Sequence, residues 1–325
     1  MKKRFFCAAV AILTLAAACD KSLPDAPEAV RELSVLASSD DVTTKGYTET
    51  DGFYETAISE LHSDSKTPSP RTMLISSYLH PQNGSAEPYF TGNTFSYSGE
   101  GNVWWNTVGG EHEPVYWPIG GTLDLLAVST SETDTKAVTF GWDLSNPARE
   151  LTLGVPAENS QNDILFASAY EVKSSGGSEA LNMKFRHAQA WLEFQLTGGV
   201  AGGAVQLKRI EIADAYNAGV LTVKNNRGNA VASWDFSAET RQNVTVDNVY
   251  SVSDLTDEPQ FLDMLIPQQP KTSLIVYYSL GDDPSVLSKA IRLEDATWLM
   301  GERYVYRINV SPSAVDVTVS TASWE

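Results

Sequence analysis

The stretch that most constrains this fold is the last one, Trp298 to Glu325. It holds two runs with a period of two. In the first, Tyr304, Tyr306, Ile308 and Val310 fall on one side, with Arg303, Arg307 and Asn309 on the other. In the second, Val315, Val317 and Val319 alternate with Asp316, Thr318 and Ser320. Side chains on a strand alternate between faces, so this pattern predicts two strands, each with one buried face. Ser311-Pro312-Ser313 separates them, because proline cannot donate to a ladder. A strand at a terminus can complete its own domain or pair with another sheet. Trp298 to Val310 reads as a strand that finishes its own domain, and Ala314 to Glu325 as the part able to leave.

The rest of the chain supports a β reading. Tyr, Trp, Val and Thr are plentiful, and helix-forming runs of Ala, Leu, Glu and Lys are confined to the N-terminus. Clear strand candidates are Thr72–Leu79, Tyr89–Tyr97, Thr122–Val128, Ile164–Tyr170, Leu181–Leu196, Val205–Ile212, Gly219–Lys224, Phe261–Ile266 and Leu274–Leu280. Pro68, Pro70, Asn83-Gly84, Gly109-Gly110 and Gly120-Gly121 punctuate them. Many short strands with such turns predict a sandwich or barrel. At 325 residues the chain is long enough for about two domains. The polar run Glu171–Ala180 is the expected gap between them. Beyond it, apolar residues fall at odd positions up to Phe185 and at even positions from Ala190. A β-bulge near His187 is the expected cause.

The N-terminus reads as an export leader. MKKRFFCAAVAILTLAAAC has a basic start, an apolar core and small residues before a cut. Cys19 behind Ala16-Ala17-Ala18 has the place of a lipoprotein cysteine, which is acylated, becomes the new first residue and anchors the chain through its acyl chains. Cys7 lies within the leader, so one cysteine remains and no internal disulfide is expected. Asp20–Thr50 is polar and reads as a tether or propeptide, with one short strand candidate at Val30–Leu36. Lys45-Gly46 follows in a context suited to a trypsin-like protease. The expected divisions are 1–18 leader, 19–45 tether, 46–175 first domain and 176–325 second domain.

Charge and motifs narrow the function. The formal net charge is −18, and loss of Lys2, Lys3 and Arg4 takes it three lower, to about −21. A chain so acidic is a poor match for nucleic acid, whose phosphates need a basic partner. His62, His80, His112 and His187 show no metal-ligand spacing, so no metal or cofactor is expected. No nucleophile elbow, phosphate loop or EF-hand pattern occurs, and no enzyme activity is expected. Trp104, Trp105, Tyr116 and Trp117 lie within fourteen residues of one another. Aromatic faces stack on sugars, so Trp104, Trp105 and Trp117 are candidate glycan contacts; they are equally suited to packing a core.

Several pieces, taken in order, resemble the fimbrillin-type (type V) pilins and their minor-subunit relatives. They are Tyr116-Trp117-Pro118 with the strand Leu123–Ala127, then Asp163–Ala167, then Phe185-Arg186-His187 with Ala190 and Leu192. Leu265-Ile266-Pro267-Gln268 follows, then Trp298, Gly301 and Tyr304-Val305-Tyr306, ending near Trp324. The resemblance implies two tandem transthyretin-like β-sandwich domains and export to the outer membrane as a lipoprotein. It implies a structural or minor (tip or anchor) subunit of a surface fimbria that contributes to adhesion to a host or bacterial surface ligand. In polymerising members a protease cuts after a basic residue and removes the first strand. The C-terminal strand of another subunit then fills the groove. Here Lys45, before Gly46, best fits the cut, with Arg31 second; Val30–Leu36 is then the strand removed, and Val315, Val317 and Val319 are donor side chains. The competing expectation is a monomeric outer-membrane lipoprotein that binds glycans.

Overall fold

The structure is a computed structural model that describes residues 31–39, 54–55, 69–70, 72–98, 103–129, 138–143, 150–158, 163–174, 180–198, 205–226, 229–246, 252–255, 259–281, 283–293, 296–311 and 314–324. All of them belong to one unit, Arg31–Glu325. The fold is all-β, with no helix among the described residues. In chain order the strands begin with β1 (Ser34–Ser39), β2 (Tyr54–Glu55), β3 (Ser69–Pro70), β4 (Met73–Pro81), β5 (Glu87–Tyr97), β6 (Val103–Val108), β7 (Glu111–His112) and β8 (Gly121–Ser129). They continue with β9 (Thr139–Asp143), β10 (Glu150–Glu158), β11 (Leu165–Val172), β12 (Leu181–His187), β13 (Gln189–Gly198), β14 (Val205–Ala215), β15 (Ala218–Asn226) and β16 (Asn229–Asp235). The last are β17 (Gln242–Thr245), β18 (Val252–Leu255), β19 (Gln260–Pro267), β20 (Gln269–Pro270), β21 (Ser273–Leu280), β22 (Leu287–Arg292), β23 (Thr297–Trp298), β24 (Glu302–Val310) and β25 (Val315–Ser323).

Four sheets carry the fold. The first is ordered β1-β12-β11-β8-β4-β5-β6-β7, and β1 also pairs with β6. Seven strands therefore close into a ring. Its interior is filled by Leu33, Val35, Met73, Ile75, Phe95, Trp104, Leu123, Leu125, Met183 and Phe185. The second sheet, β16-β15-β10-β9, packs on the outside of the ring. There Leu126, Val128 and Phe166 meet Leu221, Val223 and Ala230. The strand β8 is thus buried on both faces, which explains its apolar run Leu125-Leu126-Ala127-Val128 better than simple alternation does.

The third sheet, β19-β13-β24-β25, and the fourth, β17-β14-β21-β22 with β18, share one core. Leu192, Phe194, Tyr304, Tyr306 and Ile308 of the third sheet pack there against Leu207, Ile210, Ile212, Leu274 and Val276 of the fourth. The core side chains alternate along the strands, as with Leu192 and Phe194 of β13 and Tyr304, Tyr306 and Ile308 of β24, which is what an interdigitated sandwich requires.

Two expectations change. The flip of apolar register near His187 is no bulge. The chain leaves the first sheet at His187, the end of β12, and enters the third at Gln189, the start of β13. The inward side changes because the neighbouring sheet changes. The polar run after Glu171 joins β11 and β12, which are paired antiparallel in one sheet through Leu165↔His187 and Phe166↔Arg186. Sheet membership also crosses residue 175. The hairpin β15–β16 lies beyond it, yet pairs with β10 through Leu153↔Val223 and Val155↔Leu221.

Gly198 ends β13 against β18. A Cβ there would lie 2.4 Å from the Leu255 carbonyl oxygen and 2.5 Å from its Cβ. Backbone cannot yield as a flexible side chain can, so Gly198→Ala is expected to cost about 1–3 kcal/mol. The midpoint of denaturant unfolding measures it, and an unchanged midpoint would show that β18 shifts at no cost.

Candidate functional site

The strand β1 is the closing member of the ring. On one side it runs parallel to β12, from Val35↔Leu181 to Ser39↔Phe185. On the other it runs antiparallel to β6, through Ser34↔Trp105, Val35↔Trp104 and Leu36↔Val103. Leu33 and Val35 are fully buried, and Ala37 packs half-buried on the same core. These are alternate residues of Arg31-Glu-Leu-Ser-Val-Leu-Ala, so a strand is the only regular form that points all three inward. The strand starts later than the sequence suggests: Ser34–Ser39 rather than Val30–Leu36. Arg31–Leu33 forms a short extension against Val115–Trp117. The Leu33 amide donates to the Val115 carbonyl (2.7 Å) and the Trp117 amide to the Arg31 carbonyl (2.8 Å). The Glu32 carboxylate pairs with the His112 imidazole, which meets the Trp105 ring edge-on at 5.6 Å.

The C-terminal strand is an edge. Every residue of β25 pairs with β24, from Val310↔Val315 to Glu302↔Ser323. Ser311 closes the turn: its Oγ donates to the Ala314 carbonyl and accepts from the Ala314 amide, both at 3.0 Å. Val315 and Val317 are half-buried against the shared core, while Val319 is 48% exposed. Among the described residues, no strand pairs with the outer side of β25. The tail thus rests at home on its own sheet, held at its far end by Trp324. That ring stacks on His187 at 3.9 Å and 8° between planes, and lies 5.9 Å from Trp191. Trp324 is 5% exposed and forms a small cluster with Trp191 and Leu265. The His187 Nδ1 meets the Asp163 carboxylate at 3.0 Å. Trp191 donates to Asp263 (2.7 Å) and lies under the Arg303 guanidinium at 4.3 Å, while Arg303 pairs with the wholly buried Glu193. Period-2 reading found the valines of β25 and missed this anchor; the one signal was an aromatic residue just beyond the alternating run.

The other sequence candidates scatter. Cys19, Lys45 and Gly46 lie outside the described residues. Trp104 is fully buried inside the ring, stacked obliquely on Tyr97 at 5.3 Å, and so is core rather than a glycan contact. Trp105 and Trp117 are half-buried, and Trp117 packs on the ring's core. Among the described residues, no group of three or more His, Cys, Asp or Glu is placed to hold a metal ion. His80 and Asp124 form a pair at 2.8 Å, and burial pushes the Asp124 carboxyl up from its ordinary value. Asp124 also accepts the Glu171 amide at 2.7 Å, which makes it a bracket between β8 and β11.

A fimbrillin-like family model matches residues 72–324, most of the chain. The chain belongs to the fimbrillin-like family. The matched span takes in β25 and the sheets that carry it, while β1 lies before it. The fimbrillin-like fold extends to solved structures. A candidate cell adhesion protein from Bacteroides ovatus is 11% identical, with a TM-score of 0.56 over 91% of this chain and 99% of that one. A fimbrial protein from Bacteroides vulgatus is 13% identical, with a TM-score of 0.51 over 91% of this chain and 100% of that one. At such identities the likeness concerns the fold. No curated protein sequence matches this fimbrillin-like chain.

Proposed function

We propose that this fimbrillin-like chain is a structural or minor (tip or anchor) subunit of a cell-surface fimbria, joined to other subunits by strand exchange and contributing to adhesion. The supporting observation is the position of β1. Among the described residues it is the strand that closes the ring, it is paired on both edges, and it lies upstream of Lys45 and Gly46. A cut after Lys45 severs β1 from the rest of the chain; a cut after Arg31 leaves it attached. The geometry therefore favours Lys45 over Arg31. Once β1 leaves, β6 and β12 present unpaired backbone and the slots of Leu33, Val35 and Ala37 stand open, which costs free energy until another strand enters. Val315, Val317 and Val319 of another copy have the same spacing of alternate apolar side chains. Donation from head to tail does not close on itself, so it gives fibres. Acylated Cys19 would carry the chain to the outer membrane before the cut.

The test is a chain lacking Ala314–Glu325 and Edman sequencing of the surface protein. The truncated chain is expected to fold and to be absent from purified fibres, and the surface protein to begin at Gly46. Truncated protein recovered within fibres overturns tail donation. A first residue of Glu32 overturns the assignment of the cut, and acylated Cys19 at the N-terminus of the assembled protein would make it an uncut anchor.

A further inference from the structure

A cavity of about 360 Å³ opens where β11 and β12 of the first sheet meet β16 and the Leu299–Gly301 turn. It lies apart from the slot of β1. Its walls are apolar, from Phe166, Leu299 and Met300. Its polar side chains are Arg186, Gln268 and His187, the last held through Nδ1 by the Asp163 carboxylate at 3.0 Å. Arg186 donates through Nη2 to the Ala230 carbonyl (2.7 Å) and lies 5.0 Å over the Phe166 ring. Among the described residues, no carboxylate pairs with this guanidinium. Its other N–H groups remain for a ligand. Gln268 is oriented by the Met300 amide, which donates to its Oε1 (3.2 Å). That bond fixes which end of the amide is oxygen, and the NH2 end is left as a donor. Among the described residues no Asp or Glu lines the cavity, in a chain of net charge −18.

We propose that this cavity binds a small organic carboxylate, one acid group on a compact, partly apolar body. The carboxylate takes the Arg186 fork and the Gln268 amide, and the body lies against Phe166, Leu299 and Met300. A planar guanidinium matches the two oxygens of a carboxylate, and charge-assisted bonds are the strong ones. The volume is at the lower end of the roughly 300–1,000 Å³ of small-molecule pockets, which suits one ring and not a chain of them. An acidic monosaccharide and an aromatic acid both have this chemistry. His187 borders the cavity and stacks on Trp324, so an occupant is expected to change tryptophan fluorescence.

The experiment titrates the full chain with N-acetylneuraminate and with benzoate, and with the methyl ester of each, by calorimetry and tryptophan fluorescence. At least one acid is expected to bind, and its ester to bind about tenfold more weakly or worse, as loss of a charged hydrogen-bond partner implies. Arg186→Gln is expected to weaken the acid by a similar factor. Gln268→Glu keeps the acceptor for Met300 and replaces the donor with a negative oxygen. It is expected to abolish binding without moving the melting temperature, which separates loss of the site from loss of fold. Which acid binds distinguishes the sugar source from the aromatic one. The proposal is overturned if neither acid binds, if acid and ester bind alike, or if Gln268→Glu binds as the parent does.

Discussion

A chain that begins at Gly46 is expected to melt far below the chain that keeps β1, and to recover when a peptide of residues 31–39 is added. Burying Leu33 and Val35 contributes about 1.5–3 kcal/mol each. Both are wholly inside the ring. Loss of β1 also orphans backbone groups of β12 from Leu181 to Phe185 and of β6 from Val103 to Trp105. Buried groups left without a partner cost about 1–3 kcal/mol each. Against a total stability of about 5–15 kcal/mol, the first sheet cannot stay cooperatively folded. A shift of about 2–4 °C corresponds to 1 kcal/mol in a domain of this size, so the drop is large in a calorimetric scan. Cutting alone is expected to do little, because the ladder and the Glu32–His112 pair still hold the severed strand. A peptide of residues 314–325 is expected to replace it and raise the melting temperature of the Gly46 chain. The idea fails if that chain melts within a degree or two of the parent, since β1 would then not be what closes the ring.

Trp324→Ala is expected to free the tail without unfolding the molecule. Removing a buried aromatic from a core costs about 3–5 kcal/mol. For an edge strand that cost appears as local opening, because among the described residues β25 pairs with β24 alone. Val315 and Val317 are only half-buried and Val319 is 48% exposed, so once the stack on His187 is gone the strand is held mainly by its ladder with β24. Hydrogen exchange is the measurement. Amides of β25 are expected to lose protection by two orders of magnitude or more, on the order of 3 kcal/mol of local stability, while β13 and β14 keep theirs. The midpoint of global unfolding is expected to move little. Protection of β25 equal to that of the parent would show that the ladder with β24, and not the aromatic anchor, retains the tail. A freed tail also makes the variant a better donor, which mixing with the Gly46 chain would reveal as faster association.

The sequence by itself determined the strands, because alternation is local. Eight of the nine clear candidates fall on a single strand each, Leu181–Leu196 covers two, and Val315, Val317 and Val319 could be read as one side of the last. It also located an N-terminal segment with alternate apolar residues, though three to four residues early, since Val30 and Leu36 look as apolar as Leu33 and Val35. The weaker strands β9, β10 and β22 gave no pattern to read. Only the tertiary structure decided who pairs with whom. The partners of β1 lie at Leu181–Phe185 and Val103–Trp105, far along the chain, and no periodicity reports which edges a strand will close. Likewise the apolar side changes at His187 because β12 and β13 belong to different sheets, a fact about neighbours that a single strand cannot encode. Trp104 could have been a binding surface or a core until the ring formed around it. Trp324 read as one residue of the tail able to leave, and became that tail's anchor only when folding placed His187 and Trp191 beside it.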